Sequence, residues 1–507
     1  MRTSISGVHP GFAGGGGIFM ANRKRLLGGL VALCLAGSLM IVGCSGKTTK
    51  DPRSVLDPSN PVQVEVWTYY NGTQLQAFDE LVSEFNDTRG KELGIVVSGS
   101  SQGSVSNLAK TVSDAAQERV GAAALPDACL AYPDTALVLD DLGKAQDLNQ
   151  YLSDQDKEKF VDAFLEEGDL KGDGSLKIFP VSKSTEDLQI NMTDWKKFAD
   201  ATGSSLDELA TNEGIVRVAQ RYYEWTDAQT PATGDGQPFF GRDALANYLL
   251  TGSKQLGHEI FTVKDGKVTL DLDKATMRTL WDNYYVPMVK GYFSSEGRFR
   301  SDAVKTGDLI CYVGSTSSVV YFPKEVTVDD STRYPIEFGA LKNPTFQNGS
   351  ACAPQQGAGF VVMKSSEKQE IACVEFLKWF TDKTRNTEFA ISAGYVPVTK
   401  EALTEENIKE VAGQMEGSSA NYLTGLPAAI ETIDAGLSVS TPFTGSVDAR
   451  NYLESSLEDK ADADRAAVVA AIAAGASWES AIAPYMGDDV FEVWFAGLND
   501  TLTAAIA

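Results

Sequence analysis

The chain has 507 residues, which exceeds the size at which one hydrophobic core stops growing, so at least two domains are expected. A hydrophobic content of 43% and a charged content of 22% are ordinary for a globular protein and argue against a mainly disordered chain. The formal net charge of −25 repels phosphate backbones, so nucleic acid is not expected as a partner.

The strongest local signal lies in residues 20–44, which read MANRKRLLGGLVALCLAGSLMIVGC. Three basic residues, Arg23 to Arg25, precede an uncharged apolar stretch from Leu26 to Val42, and this order is typical of a secretory signal. The stretch ends in IVGC, which resembles a lipobox whose Cys44 takes a lipid. An uncleaved membrane anchor is the alternative, although the stretch is short for a span and contains several glycines.

These signals divide the N-terminal region into three segments. Residues 1–19 make no sensible signal and are predicted to be an upstream extension before the true start at Met20. Residues 20–43 are predicted to be the lipoprotein signal peptide, and residues 44–60 a linker rich in serine, threonine and proline. The mature chain is therefore expected outside the cytoplasm, anchored by lipid to the outer face of the cell membrane.

Four cysteines remain beyond the signal and Cys44, and an oxidising compartment permits disulfides between them. They are Cys129, Cys311, Cys352 and Cys373. Cys311 with Cys352 is slightly favoured because each lies beside a glycine-rich segment, and free buried thiols are the alternative. No CxxC spacing occurs, so a metal site is not expected, and no cofactor motif indicates a cofactor.

Alternating strand and helix signals run along the chain. Val62 to Trp67 alternates as a strand, and the apolar spacing from Gln76 to Phe85 predicts a helix. Further strands are predicted at 94–98, 128–131, 177–180, 188–191, 309–313 and 360–363. Further helices are predicted at 106–120, from 194, at 366–381 and at 461–474. This alternation predicts parallel sheets with helices on their faces.

Enzyme motifs are scarce. Gly99 to Gly103 fits G-x-S-x-G between a strand and a helix, which is the context of a nucleophilic serine, here Ser101. Such a serine needs a histidine base, and His258 is the one candidate beyond the signal region. A glycosidase needs a pair of carboxylates, and no acidic pair stands out. A hydrolase using Ser101 is kept as the alternative function, and no enzymatic activity is expected.

Four stretches in one order carry a resemblance to a known family. They are VEVWTYYNGTQLQAFDELVSEFN at 64–86, SSQGSVSNLAK at 100–110 with LPDACLAYPD at 125–134, IFPVSKSTEDLQINMTDWKKF at 178–198, and the segment from QGAGFVVMKSSEKQ to FAISAGYVPVT at 356–399. Together with the lipobox they resemble the extracellular solute-binding proteins of sugar importers, the group of maltose-binding and glycerol-3-phosphate-binding proteins.

The resemblance implies an α/β fold of two lobes, the type II periplasmic-binding-protein-like fold, with a hinge of crossing strands and a ligand cleft between the lobes. Lobe 1 is expected at residues 61–178 and 360–412, and lobe 2 at residues 182–356 and 413–507. The crossings are expected near residues 177–181, near 357–362 and around 412.

Loops at the carboxyl ends of strands are where open α/β sheets bind ligands. A sugar needs flat apolar surfaces for its rings and hydroxyl or amide partners for its edges. The candidate ligand-binding residues are Trp67, Tyr69, Tyr70, Ser101, Gln102, Tyr132, Ser182, Ser184, Ser315, Gly357 and Tyr395. For Trp67, core packing is the alternative, because it ends an alternating strand.

The function expected from these observations is that of a substrate-binding lipoprotein of an ABC importer. It would bind a carbohydrate or related polyol, close about its hinge, and deliver the ligand to the transmembrane permease subunits as a monomer. A phosphorylated polyol would need a basic cluster, for which Arg298 with Arg300, or Arg450, are the available residues. These arginines are also consistent with solvated surface charges.

Overall fold

The structure is a computed structural model that describes residues 51–264, 267–415 and 420–506. The predictions for the upstream extension, the signal peptide and Cys44 lie outside the described residues. Residues 51–60, within the predicted linker, contain one turn of 3₁₀-helix at Pro52–Val55 capped by Asp51. Within the described part of the chain, no helix combines the length and the apolar character that crossing a membrane requires.

The strands follow one another in chain order. They are β1 (Val62–Thr68), β2 (Ile95–Ser101), β3 (Ala128–Ala131), β4 (Phe179–Pro180), β5 (Glu186–Asn191), β6 (Phe240–Arg242), β7 (Phe261–Lys264), β8 (Lys267–Leu270), β9 (Cys311–Ser315), β10 (Glu325–Thr327), β11 (Arg333–Pro335), β12 (Phe338–Lys342), β13 (Ala353–Pro354), β14 (Gly359–Val362) and β15 (Leu437–Ser438).

The α-helices are α1 (Gly72–Asp87), α2 (Arg89–Leu93), α3 (Val105–Ala116), α4 (Pro133–Asp141), α5 (Asp154–Lys157), α6 (Asp162–Glu166), α7 (Met192–Thr202), α8 (Asn212–Asp227), α9 (Leu245–Gln255), α10 (Lys274–Lys290), α11 (Arg300–Thr306), α12 (Glu367–Phe380), α13 (Lys383–Ala393), α14 (Glu405–Ala412), α15 (Ala420–Ala435), α16 (Ser446–Ala473), α17 (Trp478–Ile482) and α18 (Asp488–Ala505). Further 3₁₀ turns lie at Leu148–Gln150, Leu206–Ala210, Thr316–Tyr321 and Ala483–Tyr485.

Two separate sheets carry the two lobes. The lobe 1 sheet has the order β2-β1-β3-β14-β4, so a strand from the later part of the chain lies between strands of the early part. The first three strands are parallel, and β14 runs antiparallel to both neighbours. The lobe 2 sheet has the order β12-β5-β9-β6, and only its β6–β9 pair is parallel. The expectation of parallel sheets is therefore wrong for most of lobe 2, where the chain leaves and re-enters the sheet in opposite directions.

Each lobe buries its own aromatic core. In lobe 1 the apolar stripe of α1 places Phe78 and Phe85 against Phe376 of α12, with ring centroids 6.5 and 5.1 Å apart. In lobe 2, Trp281 of α10 lies 4.9 Å from Trp494 of α18, so the C-terminal helices belong to this core. Two cores of this kind are what a chain of this length needs, because one core stops growing at about 250–300 residues.

All four described cysteines are free thiols. The favoured Cys311–Cys352 pairing is thus wrong. The Cys311 sulfur is buried within β9 and faces the carbonyl oxygen of Phe239, whereas the Cys352 sulfur faces the carbonyl oxygen of Thr251. The two side chains point at different elements, so adjacency to glycine-rich segments did not bring them together.

Candidate functional site

Three extended segments, 181–185, 355–358 and 395–398, lie side by side between the two sheets, and we call them the hinge segments. Lys183 and Val396 exchange backbone hydrogen bonds of 3.2 and 2.8 Å. Ser184 and Gln356 exchange a second pair of 3.0 and 2.9 Å. The first segment connects β4 of lobe 1 to β5 of lobe 2, and the second leads from β13 back to β14 of lobe 1. Paired crossing segments therefore join the lobes.

A buried ion pair supports the hinge segments from the lobe 1 side. The Lys183 side chain is fully buried and its ammonium donates hydrogen bonds to the Glu167 carboxylate and to the Gly357 carbonyl oxygen, the latter at 2.7 Å. Gly357 has φ +91°, and a Cβ at this position would lie 2.7 Å from the carbonyl oxygen of Ser182. Only glycine therefore fits where these two segments approach each other.

Three of the predicted tyrosines converge above the hinge segments. Tyr69 follows β1, Tyr132 follows β3, and Tyr395 follows α13. The Tyr69 and Tyr132 rings stack with centroids 6.4 Å apart and planes 18° apart. The Tyr69 and Tyr395 hydroxyl oxygens lie 3.5 Å apart. Burial raises the pKa of all three hydroxyls above the ordinary value of 10, so they stay neutral hydrogen-bonding groups.

Tyr70 contributes only its hydroxyl group to the hinge segments. Its ring packs in the lobe 1 core against Phe78 and Phe389, and its oxygen lies 3.5 Å from the Ser182 hydroxyl. Trp67 is buried in the same core, and its indole N–H donates to Glu65 at 2.8 Å. The structure thus brings the Tyr70 hydroxyl to the hinge segments but does not bring Trp67 there.

Ser101 and Gln102 lie at the end of β2, beside the loop that carries the tyrosines. The Ser101 hydroxyl donates to the Tyr70 carbonyl oxygen at 2.5 Å and accepts from the Gly103 amide at 3.1 Å. The Gln102 amide group donates to Ser100 at 3.4 Å. These contacts hold the tyrosine loop in place, and Ser101 acts here as a structural hydroxyl.

Serine hydroxyls lie along the first hinge segment and at the adjacent end of β9. Ser182 and Ser184 are buried in the first hinge segment. Ser315, at the end of β9, donates to Ser184 at 3.4 Å and lies 2.9 Å from the Ser317 hydroxyl. Ser182, Ser184, Ser315 and the three converging tyrosines therefore lie around the same hinge segments.

Sequence reasoning missed a buried polar network that continues from these serines into lobe 2. Glu186 accepts hydrogen bonds from the side-chain amides of Gln356, at 3.1 Å, and Asn247. Asn247 in turn accepts one from the Arg450 guanidinium. Burial raises the pKa of Glu186 to about 7, although the hydrogen bond from Asn247 and the charges of nearby arginines oppose the shift.

Two further polar side chains at the hinge segments have atoms without partners among the described residues. Burial also raises the pKa of Asp187 to about 7, and its Oδ2 has no hydrogen bond. Neither amide atom of Gln355 has a partner. The signal in the sequence was the acidic pair Glu186-Asp187 directly before the predicted strand at 188–191, since buried carboxylates are rare without a role.

Lobe 2 makes two further contacts, one with α4 of lobe 1 and one with the third hinge segment. The Ser446 hydroxyl at the start of α16 in lobe 2 donates to the Asp134 carboxylate of α4 in lobe 1. The Tyr422 hydroxyl of α15 donates to the carbonyl oxygen of Tyr395 at 2.8 Å. A cavity of about 10 Å³ beside Asp187, Thr316 and Gly394 is the size of one water molecule. In this conformation the lobes are therefore close together.

The arrangement does not favour the hydrolase alternative. His258 lies after α9 in lobe 2, where its ring nitrogens are 4.0 and 3.8 Å from Asp271 and Asp273. Ser101 lies in lobe 1, and its hydrogen bonds go to backbone groups. Within the described ranges no base pairs with this serine, and no group of three metal-ligating side chains occurs.

Two α/β lobes, joined by paired crossing segments and facing each other with polar groups, define a hinged binding protein. A model of the bacterial extracellular solute-binding protein family matches residues 80–415, which is more than half of the chain. The chain belongs to this family. Its members are extracellular solute-binding proteins, and the family is not one of enzymes. No curated protein sequence matches the chain.

Solved structures with the same fold cover most of the chain. The cyclic α-maltosyl-1,6-maltose binding protein of Arthrobacter globiformis has a TM-score of 0.63 at 18% identity, with 88% of this chain and 99% of that one covered. UgpB of Mycobacterium tuberculosis, in complex with glycerophosphocholine, has a TM-score of 0.62 at 18% identity, with 88% of this chain and 99% of UgpB covered. The galacto-N-biose-/lacto-N-biose I-binding protein of the ABC transporter of Bifidobacterium longum has a TM-score of 0.60 at 15% identity. The match covers 89% of this chain and 98% of that protein. The shared fold is two-lobed.

Proposed function

We propose that this chain is the substrate-binding lipoprotein of an ABC importer, and that it binds a carbohydrate or related polyol between its lobes. The observation that carries the proposal is the convergence of Tyr69, Tyr132 and Tyr395 with serine hydroxyls at the hinge segments. Aromatic faces suit the apolar faces of sugar rings, and neutral hydroxyls suit their edges.

The charges around the site favour a neutral ligand. Arg450 is engaged through Asn247 in the network of Glu186, so a cation and a carboxylate balance each other there. Of the other two arginines considered for a phosphate, Arg300 is buried and donates to the carbonyl oxygen of Gly297 at 2.6 Å, beside Asp243. The Arg298 guanidinium lies over the Phe299 ring, 5.3 Å from its centroid. The ligands of the similar proteins, cyclic α-maltosyl-1,6-maltose, lacto-N-biose and glycerophosphocholine, support a polyhydroxy compound.

The mechanism follows from the hinge. The chain alternates between open and closed arrangements, and a ligand that contacts both lobes shifts the population towards the closed one. The hinge segments take up the rotation, while Asp134 with Ser446 completes the closed state. Ligand contacts come from Tyr69, Tyr132 and Tyr395 on one side and from Ser315, Gln355 and Glu186 with its amide partners on the other.

The lobe boundaries and the lipid anchor are part of the proposal. Lobe 1 comprises residues 61–178 and 360–412, and lobe 2 comprises residues 182–356 and 413–507. The packing of α15 on β12 and β5 supports the return to lobe 2 after α14. Cys44 carries the lipid, which holds the monomeric protein at the outer face of the membrane beside its permease, and no chemical change of the ligand takes place.

The test is a thermal-shift screen of residues 46–507 against mono-, di- and oligosaccharides and glycerol phosphates, with product analysis of every well. A ligand at 100 times its Kd stabilises the fold by about 2.7 kcal/mol, enough to raise the melting temperature measurably. The shift should vanish in Tyr69→Ala/Tyr395→Ala and persist in Tyr452→Ala, which changes a tyrosine of α16 outside the site. Product formation that disappears in Ser101→Ala would overturn the proposal in favour of the hydrolase.

A further inference from the structure

A cavity of about 300 Å³ lies in lobe 1 and shares no residue with the site at the hinge segments. Its walls come from the start of α2, the segment around α5, the end of α12, the start of α13 and the chain just after the third hinge segment. This volume is at the lower end of the range for small-molecule pockets. The described residues of lobe 1 therefore form a concavity of ligand size.

The lining of the cavity is richer in cationic side chains than the protein as a whole. Its five cationic side chains are Arg89, Lys159, Lys378, Lys383 and Arg385, and they face four carboxylates. The whole chain has 44 basic and 69 acidic side chains, so an excess of cations here runs against the average. Arg89 and Arg385 are also paired with Glu92 and Glu84, which lie outside the lining, and Lys159 lies 3.6 Å from Asp156. The cation that these pairs leave available for an anionic ligand is that of Lys383.

Three of the carboxylates are already paired with cations. Asp156 accepts from Lys378 at 3.0 Å, Asp382 lies 3.3 Å from Arg385, and Glu375 lies 3.8 Å from Arg89. Lys383 has no ion-pair partner within the described residues. It is also the first residue of α13, whose N-terminus carries partial positive charge towards the cavity. The fourth carboxylate, that of Glu401, is exposed and unpaired in the same ranges.

The remaining walls are apolar or hydroxylic. Phe160 and Leu152 are buried, and Trp379 presents an indole on which the Arg385 guanidinium lies at 4.3 Å. Thr399 is 3% exposed, and its hydroxyl has no hydrogen-bond partner in the described chain. A ligand with an anionic group and a small organic part would match such walls.

We propose that this cavity binds a phosphate ester. Cations from four different elements surround it, which suits a tetrahedral group with several acceptor oxygens better than a planar carboxylate. The ester comes either from a soluble compound or from the head group of an anionic phospholipid, and both sources offer the same phosphate chemistry. The site is independent of the ligand site at the hinge segments.

The test is isothermal titration calorimetry, in which methyl phosphate is added to the full chain in phosphate-free buffer. A titration with sodium chloride at the same ionic strength is the reference. Saturable binding of methyl phosphate is expected. Lys159→Gln/Lys383→Gln should weaken it by roughly a hundredfold or more, since each lost charged hydrogen bond is worth about 1.5–3 kcal/mol and every 1.4 kcal/mol is tenfold. Glu401→Gln removes a competing carboxylate and should strengthen it. Lys305→Gln/Lys324→Gln removes two exposed charges of lobe 2 and should leave it unchanged.

A second titration separates the two sources, with dihexanoyl phosphatidylglycerol and dihexanoyl phosphatidylcholine below their micelle concentrations. Tighter binding of the phosphatidylglycerol than of methyl phosphate, lost in Lys159→Gln/Lys383→Gln, identifies a lipid head group. Binding of methyl phosphate without tighter binding of phosphatidylglycerol identifies a soluble ester. Absence of saturable binding, an equal response to chloride, or unchanged binding in Lys159→Gln/Lys383→Gln would overturn the proposal.

Discussion

Two carboxylates next to the first hinge segment, those of Glu186 and Asp187, are buried, which is unfavourable for a charged group. Burial favours the protonated form of both and raises the pKa of each to about 7, from ordinary values of 4.5 and 3.8. A protein retains such groups when their hydrogen bonds serve a purpose. Glu186 gathers the amides of Gln356 and Asn247, and thereby fixes hydrogen-bonding groups where a ligand would lie.

These raised pKa values predict how stability changes with pH. Between about pH 4.5 and 7 the folded chain keeps protons on Glu186 and Asp187 that the unfolded chain has lost, so stability falls as pH rises through this window. The melting temperature should be higher at pH 5 than at pH 8. Glu186→Gln keeps the hydrogen-bond acceptor and should remove roughly half of this drop, because one of two titrating groups is gone.

The control for this measurement is Glu410→Gln, which changes an exposed glutamate of α14 and should leave the pH dependence as it is in the wild type. An identical pH dependence in Glu186→Gln and the wild type would show that Glu186 does not titrate in this window.

For single residues, the sequence indicated which loops carry aromatic and polar side chains, but not which buried side chains hydrogen-bond to one another. The tyrosines after β1 and β3 were predictable because strand ends and polar turns mark binding loops. The network around Glu186 was not, because its members Asn247, Gln356 and Arg450 lie 61 to more than 200 positions away in the chain. Trp67 shows the converse, since an aromatic residue at a strand end packs into the core.

The hinge segments are the element on which the proposed motion depends. Their contact is tight at Gly357, where φ is +91° and the Ser182 carbonyl oxygen leaves no room for a Cβ. Gly357→Ala should therefore lower the free energy of unfolding by more than the strain of a positive φ alone, which costs about 1–2 kcal/mol. Gly121→Ala is the matched control, with φ +87° and nothing within 4 Å of the added Cβ.

Urea unfolding of the two glycine variants measures the difference. Equal losses of stability in Gly357→Ala and Gly121→Ala would mean that the two hinge segments can separate freely, against the packing described above.

The ion pair beneath the hinge segments leads to a second prediction at this scale. Lys183→Met leaves the Glu167 carboxylate buried without its cation, and breaking a buried pair in this way costs about 3–5 kcal/mol. The urea midpoint should fall markedly. Lys183→Met/Glu167→Gln removes the unpaired charge as well and should recover a large part of the loss. A double variant as unstable as the single one would refute this account.

The boundaries of an element were predictable from the sequence where one face of that element is polar. β1 and α1 alternate or repeat their apolar residues, and both were predicted close to their observed positions. β5 is buried on both faces while it carries Glu186, Asp187 and Gln189, so no alternation marks its start, and only residues 188–191 were predicted. α16 runs for 28 residues, of which only the alanine-rich end from Ala461 was predicted.

For the whole molecule, length and alternating elements predicted more than one domain, and the resemblance supplied the two-lobed arrangement. Composition could not place β14 between strands of the early part of the chain, because sheet order depends on contacts between residues more than 200 positions apart. Nor could it predict the Asp134–Ser446 contact between the lobes. The two-lobed form gives the central claim a direct physical signature, since closure changes the size of the particle.

Small-angle X-ray scattering from residues 46–507, with and without the saccharide selected by the thermal-shift screen, tests that claim most directly. A ligand that contacts both lobes favours the closed arrangement, so the radius of gyration should decrease on saturation. The decrease should be absent in Tyr69→Ala/Tyr395→Ala, which we expect not to bind the saccharide. Saturable binding with an unchanged radius of gyration would contradict closure of the lobes around the ligand.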